Sequence, residues 1–522
     1  MIKKLLYLLI LVLITNLTFS QNSNWQKITP SQLERNTNLN GLNQDYYETF
    51  QLNIEAFKSL LNNAPLRGTT SANNALTIIS FPNENGNLEQ FKVFEAPLLS
   101  PELALQFPNI KTYVGFSIDN PGTRVRFSVT PQGVQSMVTS IDQPNTFLVP
   151  LSRNGNNQYI AYNRNSRPDF VKEFECLTPN EEIKSNSENV NRDANDQLLR
   201  RLRVAISTTG EYTNFWNDGI IGNGDAQADA LAQVVATLNR VNEIFEVDMA
   251  ITFQLVTGTN IIYPNAATDP YTGSPNAQLQ ATLTSVIGAA NYDIGHLFMY
   301  AGNNGNAGCI GCVCVDASKG SGFSAHTFLD NNGGPYMSDF FDIDYVPHEI
   351  GHQMGGNHTF SMNTEGAGVN SEPGSGTTIM GYAGITGASD VQNHSDAYWH
   401  YHSIRQILNN MVTRTCWTST PITNSPPVAE AGINYTIPKG TAFVLRGSAT
   451  DPNPNDILTY CWEQIDSGGS SNTTFGPNNT TGPVWRSRPP SLSPNRYMPI
   501  FSRVLAGQLT QTNPTITANN SS

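Results

Sequence analysis

Charge is the scarcest commodity in this chain: only 14% of its 522 residues are Asp, Glu, Lys or Arg, against about a quarter in an average globular protein. That excludes a disordered polyelectrolyte. The 29 basic residues face 42 acidic ones, a formal net charge of −13, so no electrostatic footprint for nucleic acid or anionic membranes exists. Six cysteines in the whole chain are too few for a disulfide-framework mini-domain. After the N-terminal segment no apolar run reaches the ~20 residues of a membrane-spanning helix. What is present is a polar chain, 39% hydrophobic with 41 glycines, long enough for two to four domains of about 100–150 residues.

Lys3 and Lys4 precede an almost wholly apolar stretch from Leu5 to Ile14, and Thr18-Phe19-Ser20 precedes polar sequence. This reads as a signal peptide over residues 1–20 cleaved after Ser20, the alternative being an uncleaved anchor. Over 21–197, alternating runs such as Thr112-Tyr113-Val114-Gly115-Phe116 and Arg124-Val125-Arg126-Phe127-Ser128-Val129 are separated by Pro and Gly turns. They predict an antiparallel β domain followed by a polar linker at 178–197. Leu202 to Ser207 predicts a buried strand. Leu231, Val234, Val235, Leu238 and Val241 recur at helical spacing between Asp225 and Phe245, and further strands are expected at 249–256 and 294–300. The region 198–420 is thus α/β. A Pro-rich hinge after Trp417 leads to runs such as Phe443-Val444-Leu445 and Leu458-Thr459-Tyr460, which predict a small β-sandwich over 426–522 with its last strand pair not in sight.

The decisive segment is His348-Glu349-Ile350-Gly351-His352-Gln353-Met354-Gly355-Gly356-Asn357-His358. His348 and His352, four apart on a helix, project from one face and can share an ion. Glu349 lies about 100° round the helix, beside that ion, placed to take a proton from water. Gly355 allows the positive φ that ends the helix and returns His358 to the site. Three imidazoles with one open position suit a catalytic zinc. Pro347 fits if Asp344 is the N-cap and the helix starts there; otherwise a kink is expected.

With Thr377-Thr378-Ile379-Met380-Gly381-Tyr382 following 22 residues on, the motif resembles the metzincin zinc endopeptidases, specifically their bacterial reprolysin-like (adamalysin-type) branch, over roughly 200 to 417. The resemblance implies a twisted mixed sheet with an active-site helix, one Zn2+ on His348, His352 and His358, Glu349 as general base, and Met380 as the Met-turn residue. It implies Tyr382 as a fifth ligand or oxyanion stabiliser, the alternative being a packed aromatic. Thr359 stands where animal relatives carry an acid, the cysteines that flank the Met-turn in many relatives are missing, and Pro347 replaces a small residue. Substrate would be a protein or peptide, extended along a strand edge near Gly305 to Gly311.

Cys309, Cys312 and Cys314 crowd together; export favours disulfides over a second metal site, and the resemblance pairs Cys314 with Cys416, leaving Cys309 with Cys312. Cys176, alone before the first catalytic strand, reads as a propeptide thiol that occupies the open metal position, or else as an unpaired cysteine. Arg200-Arg201-Leu202-Arg203 offers a basic maturation site unless it lies in the strand. His394, His400 and His402 are expected to pack or face solvent. The loop from Asp451 to Asp456 resembles those of PKD-type immunoglobulin-like modules and reads as a turn, so calcium is left without support. Cys461 has no evident partner. The expectation is a secreted zymogen of three parts, β-rich propeptide, α/β catalytic domain and C-terminal sandwich. The rival readings are a catalytically silent adhesive scaffold and a zinc hydrolase of a non-protein amide; oligomeric state is not legible.

Overall fold

The structure, a computed structural model, describes residues 24–509 apart from 35–38, 70–74, 142, 154–156, 167–173, 180–193, 329–334, 439–440 and 470–480. The expected signal peptide and most of the expected linker lie outside the described residues. No helix among the described residues is long and apolar enough to cross a membrane.

The N-terminal region is one nine-stranded antiparallel sheet. Its strands are β1 (Trp25–Lys27), β2 (Tyr47–Leu52), β3 (Ile78–Pro82), β4 (Leu88–Glu95), β5 (Lys111–Ser117), β6 (Arg124–Thr130), β7 (Gly133–Thr139), β8 (Thr146–Pro150) and β9 (Gln158–Asn163), in the order β1-β2-β9-β8-β7-β6-β5-β4-β3. One face closes on its own aromatic core of Trp25, Phe57, Phe81, Phe91 and Phe127. The other face contributes Met137, Phe147, Ile160 and Tyr162 to the core of the second region.

The second region is a mixed seven-stranded sheet. Its strands are β10 (Glu175–Cys176), β11 (Leu198–Thr208), β12 (Ile251–Leu255), β13 (Ile294–Met299), β14 (Asn304–Asn306), β15 (Gly322–Ala325) and β16 (Thr418–Pro421). The order is β10-β14-β15-β13-β11-β12, with β16 on β11. The strands expected at 249–256 and 294–300 are therefore present. β11 starts at Leu198, earlier than expected, so Arg200 to Arg203 lie inside a central strand, with Arg203 paired to Asp293 at 2.7 Å. A basic maturation site is not accessible there.

The long helix Ala226–Met249 begins at Asp225, whose carboxylate accepts the Ala228 N–H at 2.9 Å. Nearly all of it is buried, including Asn239, Arg240, Asn242 and Glu243. The cause is two-sided covering: the N-terminal sheet meets Gln233, Glu243 and Glu246, while Asn242 is hydrogen-bonded to Phe253 of the mixed sheet and Arg240 pairs with Asp342. Arg124 and Arg126 reach Glu243 at 2.8 and 2.9 Å, Arg126 and Arg67 pair with Glu246, and Gln135 donates to Gln233 at 2.8 Å.

Beyond residue 426 the described residues form two two-stranded sheets, Val428–Glu430 with Ser448–Thr450 and Phe443–Arg446 with Asn495–Met498. Among the described residues Met498 is buried there, while Val428, Ile433, Tyr435 and Leu492 are exposed.

Candidate metal centre

The helix Val346–Met354 carries His348, Glu349 and His352. Asp344 is not its cap. Residues 339–340 are already helical and Phe341–Tyr345 continue as a π-turn, with the Val346 N–H reaching the Phe341 carbonyl. Asp344 is claimed instead by Arg164, with which it pairs, and by the Ser395 N–H at 2.7 Å. The wider turn accommodates Pro347, whose missing N–H would interrupt a regular α ladder. At the other end Gly355 takes φ 122°, a conformation suited to glycine, and the chain folds back to return His358.

Each imidazole is oriented through Nδ1. His348 meets the Ile379 carbonyl at 2.7 Å, His352 the Gly356 carbonyl at 2.7 Å, and His358 the Glu365 carboxylate at 3.0 Å. An Nδ1–H that donates outward leaves its lone pair on Nε2, pointing inward. The Nε2 atoms of His352 and His358 are 3.0 Å apart. The ligand atoms of all three histidines and of Cys176 lie within 4.8 Å of one another. Lone pairs facing each other so closely repel unless a cation lies between them, and a tetrahedral ion with bonds of ~2.0–2.1 Å holds its nitrogens about 3.3 Å apart. The residues fit such an ion. Burial and the neighbouring His358 and His348 hold the His352 imidazole well below its ordinary pKa, hence neutral as a ligand must be.

The segment before the linker crosses this centre. β10 pairs in parallel with β14, Cys176 opposite Gly305, through the Glu175 N–H to the Asn303 carbonyl at 3.0 Å and the Leu177 N–H to the Gly305 carbonyl at 2.7 Å. Of the edge expected over Gly305 to Gly311, only Asn304–Asn306 is strand; the chain then turns toward Cys309. Cys176 Sγ sits 3.6 Å from His352 Nε2. Burial, then the Glu349 carboxylate, pushes its thiol pKa well up. Thr178 Oγ1 accepts the Ala307 N–H at 2.7 Å and donates to Glu349 Oε2 at 2.8 Å. Burial pushes the Glu349 carboxyl up to about 8 against these donors. Gly305 permits the approach, because a Cβ there would come within 2.4 Å of Glu349 Oε1.

Met380 lies under the helix, where a Cβ on Gly351 would meet its sulfur at 2.7 Å, and its carbonyl accepts the Thr359 N–H at 3.1 Å. Glu372 organises the same loop, accepting from Thr359 Oγ1 at 2.6 Å, the N–H groups of Thr377 and Thr378 at 2.8 and 3.1 Å, and the Thr378 hydroxyl. A threonine after the third histidine is thus served by an acid from elsewhere in the chain. The Tyr382 ring is 4.7 Å from that of His358, and burial, then Cys176, pushes its hydroxyl pKa up. The pairings Cys314–Cys416 and Cys309–Cys312 are both present. Cys461 is unpaired and exposed. His400 and His402 are buried in packing, His400 accepting the His402 N–H at 3.2 Å and His402 facing the Ile465 carbonyl at 3.1 Å. His394, beside the Ser395 carbonyl, belongs to no metal cluster among the described residues.

Thr178, Glu365 and Glu372 escape a reading of the sequence alone. Only the closeness of Thr178 to Cys176 hinted at the first; the others sit in a Gly-rich loop with no periodicity. Because Glu365 fixes one ligand ring, Glu365→Gln is expected to weaken metal affinity about 10–100-fold, measured by competition with a chromogenic chelator.

Residues 199–411 match the family model described as Metallo-peptidase family M12B Reprolysin-like. No curated protein matches the chain. The match spans all three histidines, Glu349 and Met380, and supports a reprolysin-like metalloprotease domain.

Proposed function

We propose that the chain is a secreted zinc-dependent endopeptidase made as a latent zymogen, residues 21–197 being the propeptide and 198–420 the catalytic unit. The observation that carries it is the convergence of three outward-tethered histidines and Cys176 on one point, directly beside Glu349. When bound, zinc supplies a Lewis acid that polarises the scissile carbonyl and lowers the pKa of water. His348, His352 and His358 hold it through Nε2. Glu349 accepts the proton of the attacking water and delivers it to the leaving amine. The Tyr382 hydroxyl faces the same space and donates to the developing oxyanion. Asn304–Asn306 offers its backbone to an extended substrate. Two disulfides support an oxidising compartment.

Latency has two parts in this reading. Cys176 takes the open ligand position, and the Thr178 hydroxyl engages Glu349. Cys176→Ala in the unprocessed chain is expected to raise casein cleavage at least about tenfold, the effect of one contact of ~1.4 kcal/mol; a variant as silent as wild type would assign latency to the rest of the prosegment.

The test of the function is casein cleavage by the processed chain with and without a chelator. Turnover absent from wild type, or indifferent to the chelator, removes the endopeptidase assignment.

A further inference from the structure

Arg153, which follows β8, places its guanidinium among the rings of the second region. It lies 3.9 Å from the centroid of Tyr336, 4.4 Å from Phe215 and 5.8 Å from Trp216. Among the described residues its one polar contact is long, Nη1 to the Asn217 carbonyl at 3.4 Å. The cage does not depend on it. Phe215 stacks on Tyr300 at 4.9 Å and on Phe328 at 5.2 Å, while Trp216 sets its edge against Phe328 at 5.2 Å and Tyr336 at 6.1 Å. All five rings come from residues after 209, so they remain when the prosegment leaves. Burial pushes the Arg153 guanidinium down from its ordinary pKa, and the nearby Tyr336, Asp218 and Asp229 offset part of that cost.

The cage stands at one end of the edge that 174–178 crosses. Tyr300 follows β13 and Phe328 follows β15. Between them Asn303 accepts the Glu175 N–H at 3.0 Å, and its side chain accepts the Thr327 N–H at 2.9 Å. A chain of ring contacts continues to the metal centre: Phe328 to His326 at 4.8 Å, His326 to Tyr345 at 5.1 Å, Tyr345 to Phe174 at 4.1 Å, and Phe174 to His348 at 5.8 Å. Tyr300 of the cage is thus three residues from Asn303, whose carbonyl pairs with the chain lying along this edge.

We propose that in the processed enzyme this cage is a subsite for a cationic side chain, arginine or lysine, of the peptide substrate, and that Arg153 is its occupant in the latent chain. The proposal rests on the zymogen reading. A cation over preorganised aromatic faces is held where its partial desolvation strengthens the attraction, and rings already stacked on one another lose little freedom on binding.

The test uses processed protein carrying Glu349→Ala, freed of its prosegment by gel filtration below pH 4.5 and returned to neutral pH, and titrated with a short peptide containing one arginine and with its citrulline twin. The arginine peptide is expected to bind about five- to thirty-fold more tightly, ~1–2 kcal/mol. Phe215→Leu and Tyr336→Ala are each expected to remove that difference while leaving citrulline-peptide affinity unchanged. Equal affinities for the two peptides, or a preference that survives both substitutions, overturn the assignment. Casein turnover by processed wild type, measured alongside, separates the two readings. Cleavage without arginine preference removes the cage and leaves the peptidase; preference without cleavage does the reverse.

Discussion

Glu349→Gln in the processed chain is expected to lower kcat for peptide hydrolysis about 10²–10⁴-fold, the range of a lost general base, while zinc content stays at the wild-type level. The separation follows from geometry. The metal would be held through rings whose Nδ1 partners are Ile379, Gly356 and Glu365, none of which the substitution touches. Glutamine keeps the volume beside Gly305 and accepts the Thr178 hydroxyl as glutamate does, so fold and latency should persist. It cannot take the proton. Steady-state kinetics with metal analysis on the same preparation decide the matter: a variant that loses zinc would make Glu349 a structural group, and one that keeps kcat would place the base elsewhere. The KM is expected to change little, because the lost interaction belongs to the transition state.

The centre was legible because its spacing is local. His348, His352 and His358, with Gly355 between, write their geometry into eleven residues, and Met380 follows close behind. The helix N-terminus was not legible, because Asp344 is settled by Arg164, 180 residues earlier, and no window of sequence contains that partner. The same holds for Glu372, whose five donors include the hydroxyl of Thr359. In the C-terminal region residues 443–445 lie in a strand while 458–460 do not; an apolar run states only that a face is apolar, not which layer covers it. Arg124 and Arg126 alternate with Val125 and Phe127 in β6, and alternation does not say that the charged face meets the long helix through Glu243 and Glu246.

That face carries the second large effect. Among the described ion pairs joining the two regions, the N-terminal sheet supplies the cations, Arg67, Arg124, Arg126 and Arg164, and the second region supplies the acids, Glu243, Glu246, Asp339 and Asp344. Arg126 bridges Glu243 and Glu246 with its side chain 2% exposed. Removing Arg126 leaves Glu243 with Arg124 and Glu246 with Arg67, so the cost is at the low end of the about 3–5 kcal/mol of an orphaned buried charge. Arg126→Met is therefore expected to weaken the hold of the nicked prosegment by about two orders of magnitude, read as its dissociation on gel filtration. The pH dependence follows from Glu246. Burial alone would raise its carboxyl, but Arg126 and Arg67 outweigh burial and hold it from the ordinary 4.5 down to about 2. A depressed carboxyl stabilises the bound state fully above 4.5 and ceases to do so as pH falls toward 2. The wild-type nicked complex should therefore stay together from neutral pH to about 4.5 and come apart only below it. Salt should matter little, since buried pairs are poorly screened. Arg126→Met should dissociate already at neutral pH. Equal retention of wild type and variant between pH 7 and 3 would show that the apolar contacts of Met137, Phe147 and Ile160 hold the prosegment without the charges.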